Sequence, residues 1–126
     1  MHIRIADSAP RAGGVRRVAL LHERRDPSAG VPKTLRASIA RAVRASGFGG
    51  REGEAAGAAS PGGDWVLHGL GKAPARLAVY RSALRRAVRD ALRQGRRRLV
   101  IAFDDGLSPA GFRALLPQIA LADYSF

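Results

Sequence analysis

The chain has 126 residues, 22 of them basic and 10 acidic, for a formal charge of +12 at pH 7. It has no cysteine, which excludes disulfide cross-links and thiolate metal sites. No apolar run reaches the roughly 20 residues that cross a bilayer, and the opening MHIRIADS lacks a signal-peptide core, so a cytoplasmic, single-domain protein is expected, with no membrane partner.

Segment 2–6 alternates in polarity and predicts a short strand, and 8–14 reads as a turn. Residues 16–22 form a second predicted strand with an aliphatic centre, broken by Asp26-Pro27-Ser28-Ala29-Gly30. Pro32 suits the first position of a helix. Leu35, Ile39, Ala42, Val43 and Ser46 follow at helical spacing, with Arg36, Arg41 and Arg44 off that stripe. Gly47 is a suitable stop, so 32–46 is expected to be helical.

Residues 47–63 are rich in Gly, Ala and Ser. They admit two readings, a flexible linker or a compact loop with a short buried strand at 55–59. Segment 64–71 predicts a strand running into a Gly turn. Pro74 opens the longest predicted helix, to about Gln94. Its apolar stripe is Leu77, Tyr80, Leu84, Ala87, Val88, Ala91 and Leu92, and Arg81, Arg85, Arg89 and Arg93 form a row at i+4 steps on another face. Gly95 ends it. The apolar run 98–103 marks an interior strand covered on both faces, closed by Asp104-Asp105-Gly106. Ser108 and Pro109 predict a last helix, interrupted at Pro117. The order β-β-α-(β)-β-α-β-α predicts an α/β fold with a mixed, mostly parallel sheet between helices, in three layers.

Chemical motifs are sparse. Gly69-Leu70-Gly71-Lys72 has neither the preceding Gly nor the following Ser or Thr of a phosphate loop. It reads as a tight turn that can still offer N–H groups to an anion. His2, His22 and His68 stand at no ligand-like spacing. Asp104-Asp105 ends a strand where α/β proteins place ligands, yet a turn explains it equally. Glu52 and Glu54 are two residues apart, but nothing in the sequence supplies the cleft and shifted pKa values that acid–base work needs, and no Ser lies in a nucleophile elbow. The arginine row, prolonged by Arg96 and Arg97, is a solvated helix face or a candidate polyanion surface. No aromatic residues are interleaved with it, which disfavours single-strand binding.

Three stretches carry a resemblance. Phe48-Gly49-Gly50-Arg51-Glu52-Gly53-Glu54 resembles the Phe-x-Gly-x-x-Gly-Glu segment of the leucyl (cytosol) aminopeptidase family. Val66-Leu67-His68-Gly69-Leu70-Gly71-Lys72 resembles that family's strand ending in Gly-Leu-Gly-Lys, and Leu121-Ala122-Asp123-Tyr124-Ser125-Phe126 its Tyr-x-Phe before the interdomain linker. The resemblance implies that residues 1–126 form the single, macro-domain-like N-terminal domain of such an enzyme, lacking the catalytic C-terminal domain. Phe48, Gly50, Gly53, Glu54, Gly69, Gly71, Lys72, Tyr124 and Phe126 are then structural or interdomain residues, not catalytic ones. The family uses two divalent metals, zinc or manganese, held in the other domain; nothing here matches its Asn-Thr-Asp-Ala-Glu-Gly-Arg motif, so no catalytic residue, metal ligand or cofactor is assigned to this chain. The implied partners are a peptidase catalytic domain and further copies in a hexamer, and some bacterial members bind DNA. The competing expectation is a binding module in its own right. It would take a nucleotide or ADP-ribose at the Gly-rich turns, or nucleic acid on the arginine surface.

Overall fold

A computed structural model describes residues 2–5, 15–23, 35–58, 65–73 and 75–104. In chain order these form β1 (His2–Ile5), β2 (Val15–His22), α1 (Arg36–Ser46), β3 (Ala55–Ala58), β4 (Trp65–Gly71), α2 (Leu77–Arg93) and β5 (Arg98–Phe103). The expected turns at 8–14 and 26–30, Pro32, Pro74, Asp105, the helix from Ser108 with its break at Pro117, Tyr124 and Phe126 lie outside the described residues.

The five strands make one sheet in the order β1-β5-β2-β4-β3. The pairs β1–β5, β5–β2 and β2–β4 are parallel, and β3 joins β4 antiparallel at the edge. This is the expected α/β architecture. Parallel neighbours need crossovers, and those crossovers place helices on the faces.

Period-two alternation sorts the strand side chains onto two cores. Val18, Leu20, Leu70, Leu99, Ile101 and Phe103 pack with Tyr80, Leu84, Ala87, Val88 and Ala91 of α2. Ala19, Leu21, Trp65, Leu67, Val100 and Ala102 pack with Leu35, Ile39, Ala42 and Phe48 on the side of α1. Leu99 through Phe103 are all buried, which is why that run carries no polar residue. The Trp65 indole N–H donates to Ser38 Oγ at 2.8 Å, so the ring's one polar atom is satisfied where it meets α1.

Helix α1 stops at Gly47, as expected. Its φ of 68° is left-handed, and its N–H donates to Val43 O at 3.1 Å. In α2, Leu77 and Leu92 depart from the expected buried stripe, being 56% and 38% exposed. At about 100° per residue, Leu92 falls at the margin of the arc through Leu84, Val88 and Ala91. Leu77 is in phase with that arc but is the first residue of the helix. Neither helix has a side-chain N-cap, with Leu35 and Arg76 at the capping positions, so burial rather than capping holds them.

The ambiguous stretch 47–63 resolves, over its described part, into a compact loop and strand β3. That strand is not buried as expected: Ala55 and Gly57 are exposed, because β3 is an edge strand that α2 does not cover.

Candidate functional site

The motif residues 48–54 and 69–72 converge at the carboxyl ends of β2 and β4. Phe48 is buried in the core on the α1 side. The chain then turns: the Glu54 N–H donates to Arg51 O at 2.9 Å, with Gly53 in the third turn position at φ 83°, a left-handed value that favours glycine. The Glu54 carboxylate accepts the Gly49 N–H at 3.1 and 3.2 Å and the Arg51 N–H at 3.1 Å. It is a loop clamp, which leaves exposed Glu52 with no partner carboxylate for acid–base work.

This loop lies on β4. The Gly69 N–H donates to Glu54 O at 2.8 Å and the Gly71 N–H to Gly50 O at 2.9 Å, while Gly71 O accepts from Glu23 N–H at 2.8 Å. The expectation that this Gly turn offers N–H groups to an anion is therefore corrected for Gly69 and Gly71: the loop already takes both. A Gly-rich nucleotide cradle has no room at this crossing either, since a Cβ on Gly69 would overlap the Arg51 carbonyl. Lys72 is exposed beyond the turn.

One buried polar pair stands beside these strand ends. Asp104, just after β5, accepts the His22 backbone N–H on Oδ2 at 2.6 Å, and its Oδ1 lies 2.7 Å from His22 Nδ1. Both side chains are fully buried. A carboxylate only accepts, so Nδ1 carries the proton in this contact. The His22 ring meets Tyr80 edge-on at 6.2 Å, and Tyr80 meets Phe103 at 6.1 Å. Asp104 is a turn residue directly after β5, as one of its two open readings has it, and its side chain also ties β5 to β2.

The arginine row divides. Arg89 and Arg93 line a groove of about 480 Å³ between α2 and β3, together with Arg86, Asp90 and Arg16. Arg81 and Arg85 are half-buried further along the helix, and Arg96 and Arg97 are exposed beyond its end. None of these four lines the groove. Arg16 and Arg86 belong to the site although the i+4 row omits them. Arg86 follows Arg85 directly, a step of about 100° round the helix, and Arg16 comes from β2. Arg86 Nη1–H also donates to Gly53 O at 3.2 Å, joining α2 to the motif loop.

His68 forms part of the groove floor and is 4% exposed. Burial, reinforced by the Arg86 guanidinium and opposed by Asp90, pushes its pKa down from 6.5 to about 4. The unfolded chain thus binds a proton between these values that the folded chain refuses. Stability is present in full above about pH 6.5 and is lost as pH falls toward 4, by about 3 kcal/mol in all. Urea midpoints measured at pH 7, 6, 5 and 4 are expected to fall more steeply for the wild type than for His68→Leu. Parallel curves for the two proteins would refute the depressed value.

Among the described residues no group of three or more His, Asp or Glu side chains could hold a metal ion. No helix among the described residues is long and apolar enough to cross a membrane.

The described residues thus define a small α/β domain with a mixed, mostly parallel sheet between two helices. No protein-family model and no curated protein matches the chain. Among solved structures, a mutant leucine aminopeptidase from tomato is similar, with a TM-score of 0.61 and 20% sequence identity. The match covers 95% of this chain and 26% of that one, so the chain spans about a quarter of the aminopeptidase. At this identity the likeness is one of fold.

Proposed function

We propose that this chain is a non-catalytic accessory domain of the leucyl aminopeptidase type, which packs on a metallopeptidase domain and serves its assembly or regulation. The observation that supports this best is the likeness to the tomato aminopeptidase, which takes in 95% of this chain but only 26% of the enzyme. The motif residues add to it. Phe48, Gly50, Gly53, Glu54, Gly69 and Gly71 are spent on loop packing and backbone hydrogen bonds, which suits a scaffold whose chemistry is supplied by another segment. On this reading the zinc or manganese pair belongs to the partner domain, and a hexameric assembly follows from the family.

The test has two parts. The purified chain, with manganese or zinc added, is expected to hydrolyse leucine p-nitroanilide no faster than buffer. The same chain, immobilised, is expected to retain from its host's extract a chelator-sensitive leucine p-nitroanilide hydrolase. Metal-dependent turnover by the isolated chain overturns the non-catalytic reading, and an eluate without such a hydrolase overturns the partner reading.

A further inference from the structure

We propose that the groove between α2 and edge strand β3 is a binding site for a small phosphate monoester whose organic part carries hydroxyl groups, such as a sugar phosphate. It lies on the α2 face of the sheet, apart from the closed glycine crossing at the strand ends.

The sheet builds the groove by leaving one strand bare. Paired residues of antiparallel strands share a face. Ala55 pairs with His68 and Gly57 with Val66, and Val66 packs into the α2 core. Ala55 and Gly57 therefore floor a trough beside α2, and a Cβ on Gly57 would meet nothing within 4 Å. Larger side chains on β3 would fill this space. Its volume, about 480 Å³, falls in the range of about 300–1,000 Å³ typical of small-ligand pockets.

The lining selects the ligand. Among the described residues the lining holds four arginines, Arg16, Arg86, Arg89 and Arg93, against one carboxylate, that of Asp90. Such an excess of positive charge around one trough favours a dianion over a lone carboxylate, and the guanidinium fork fits phosphate oxygens in pairs. The second observation is independent of charge. His68 Nε2 is buried, in a residue only 4% exposed, and has no hydrogen-bond partner. A buried polar atom left in this way is costly, and a ligand oxygen seated in the groove relieves it. Asp90 and Gln94 sit together in the same lining, Gln94 Nε2 lying 3.5 Å from Asp90 Oδ1. They offer an acceptor and a donor to hydroxyl groups rather than to a second phosphate.

Calorimetric titration of the chain with ribose 5-phosphate, at fixed ionic strength and pH 7.5, is expected to saturate at one site. Inorganic phosphate is expected to bind more weakly, and ribose not at all. The imidazole resonances of His68, assigned through His68→Gln, are expected to shift with the same midpoint. Arg93→Ala should weaken binding about tenfold, the loss of one charge-assisted contact. Gly57→Leu, which grows into open space, should abolish binding without moving the urea midpoint. Arg96→Ala, outside the groove, should change nothing. The proposal is overturned by a titration that never saturates, by equal effects of Arg93→Ala and Arg96→Ala, or by ribose 5-phosphate binding that survives Gly57→Leu. Salt-sensitive duplex DNA binding that ribose 5-phosphate does not displace, with no response at His68, would assign these arginines to a polyanion surface and overturn it as well.

Discussion

Asp104→Ala is expected to destabilise the domain by about 3–5 kcal/mol, the usual consequence of removing one partner from a buried, hydrogen-bonded pair. A domain of this size has about 5–15 kcal/mol in total, so the variant should sit near the edge of folding. The reason is specific. Asp104 accepts two hydrogen bonds from one residue, the backbone N–H and Nδ1 of His22 at 2.6 and 2.7 Å. Alanine removes the acceptor of both bonds where water does not reach. Asp104→Asn keeps one acceptor oxygen and replaces the other by an NH2 group, so it should cost less, about 1–3 kcal/mol. The paired change His22→Phe with Asp104→Leu removes the donor ring and the acceptor together. It should cost less than the sum of the single changes, since no buried ring donor loses its acceptor. Urea unfolding followed by the fluorescence of the single tryptophan, Trp65, measures each of these variants. An Asp104→Ala midpoint equal to that of the wild type would show that this pair does not tie β5 to β2.

The physics of the chain explains which of these features its sequence discloses. The β5 run and the α2 stripe are local patterns, a continuous apolar stretch and a 3.6-residue period, and each is read within its own segment. The place of Gly47 as a helix stop is equally local. The His22–Asp104 pair is not, because 82 residues separate its members and neither has a neighbour that advertises the other. Asp104 looks like a turn residue and His22 like a strand end. Strand β3 is ambiguous for another reason. Ala-Ala-Gly-Ala has no apolar alternation, and its strand state comes from pairing with β4 rather than from its own preference. The groove shares both difficulties. Arg16 joins it through strand pairing, Ala55 and Gly57 matter by being small, and the i+4 row that marks Arg89 and Arg93 passes over Arg86. The resemblance to the aminopeptidase family brought the glycines of the loop into view. Which of them are sterically closed and which are merely turned required coordinates.

That distinction yields the second large effect, a graded series of glycine-to-alanine changes. Gly69→Ala should be the most severe, at about 4 kcal/mol or more. Its Cβ would overlap the backbone carbonyl of Arg51, and backbone on both sides leaves no flexible side chain to move aside. Relief would require lifting the motif loop off β4, and with it the Gly69 N–H to Glu54 O and Gly71 N–H to Gly50 O bonds. Gly50→Ala should be nearly as severe, since its Cβ would come within 2.5 Å of His22 O and its φ is already 81°. Gly47→Ala meets no atom within 4 Å but keeps a φ of 68°, so only the left-handed conformation is penalised, by about 1–2 kcal/mol. Gly57→Ala has neither obstacle and should shift stability by no more than about 0.5 kcal/mol. Denaturation midpoints for the four variants separate steric closure from backbone strain, because Gly69 carries only the first, Gly47 only the second, Gly50 both and Gly57 neither. If Gly69→Ala unfolds at the same urea concentration as Gly57→Ala, the motif loop does not rest on β4. The closed crossing that removes the Gly turn from ligand binding would then be wrong, whatever becomes of the arginine groove on the α2 face.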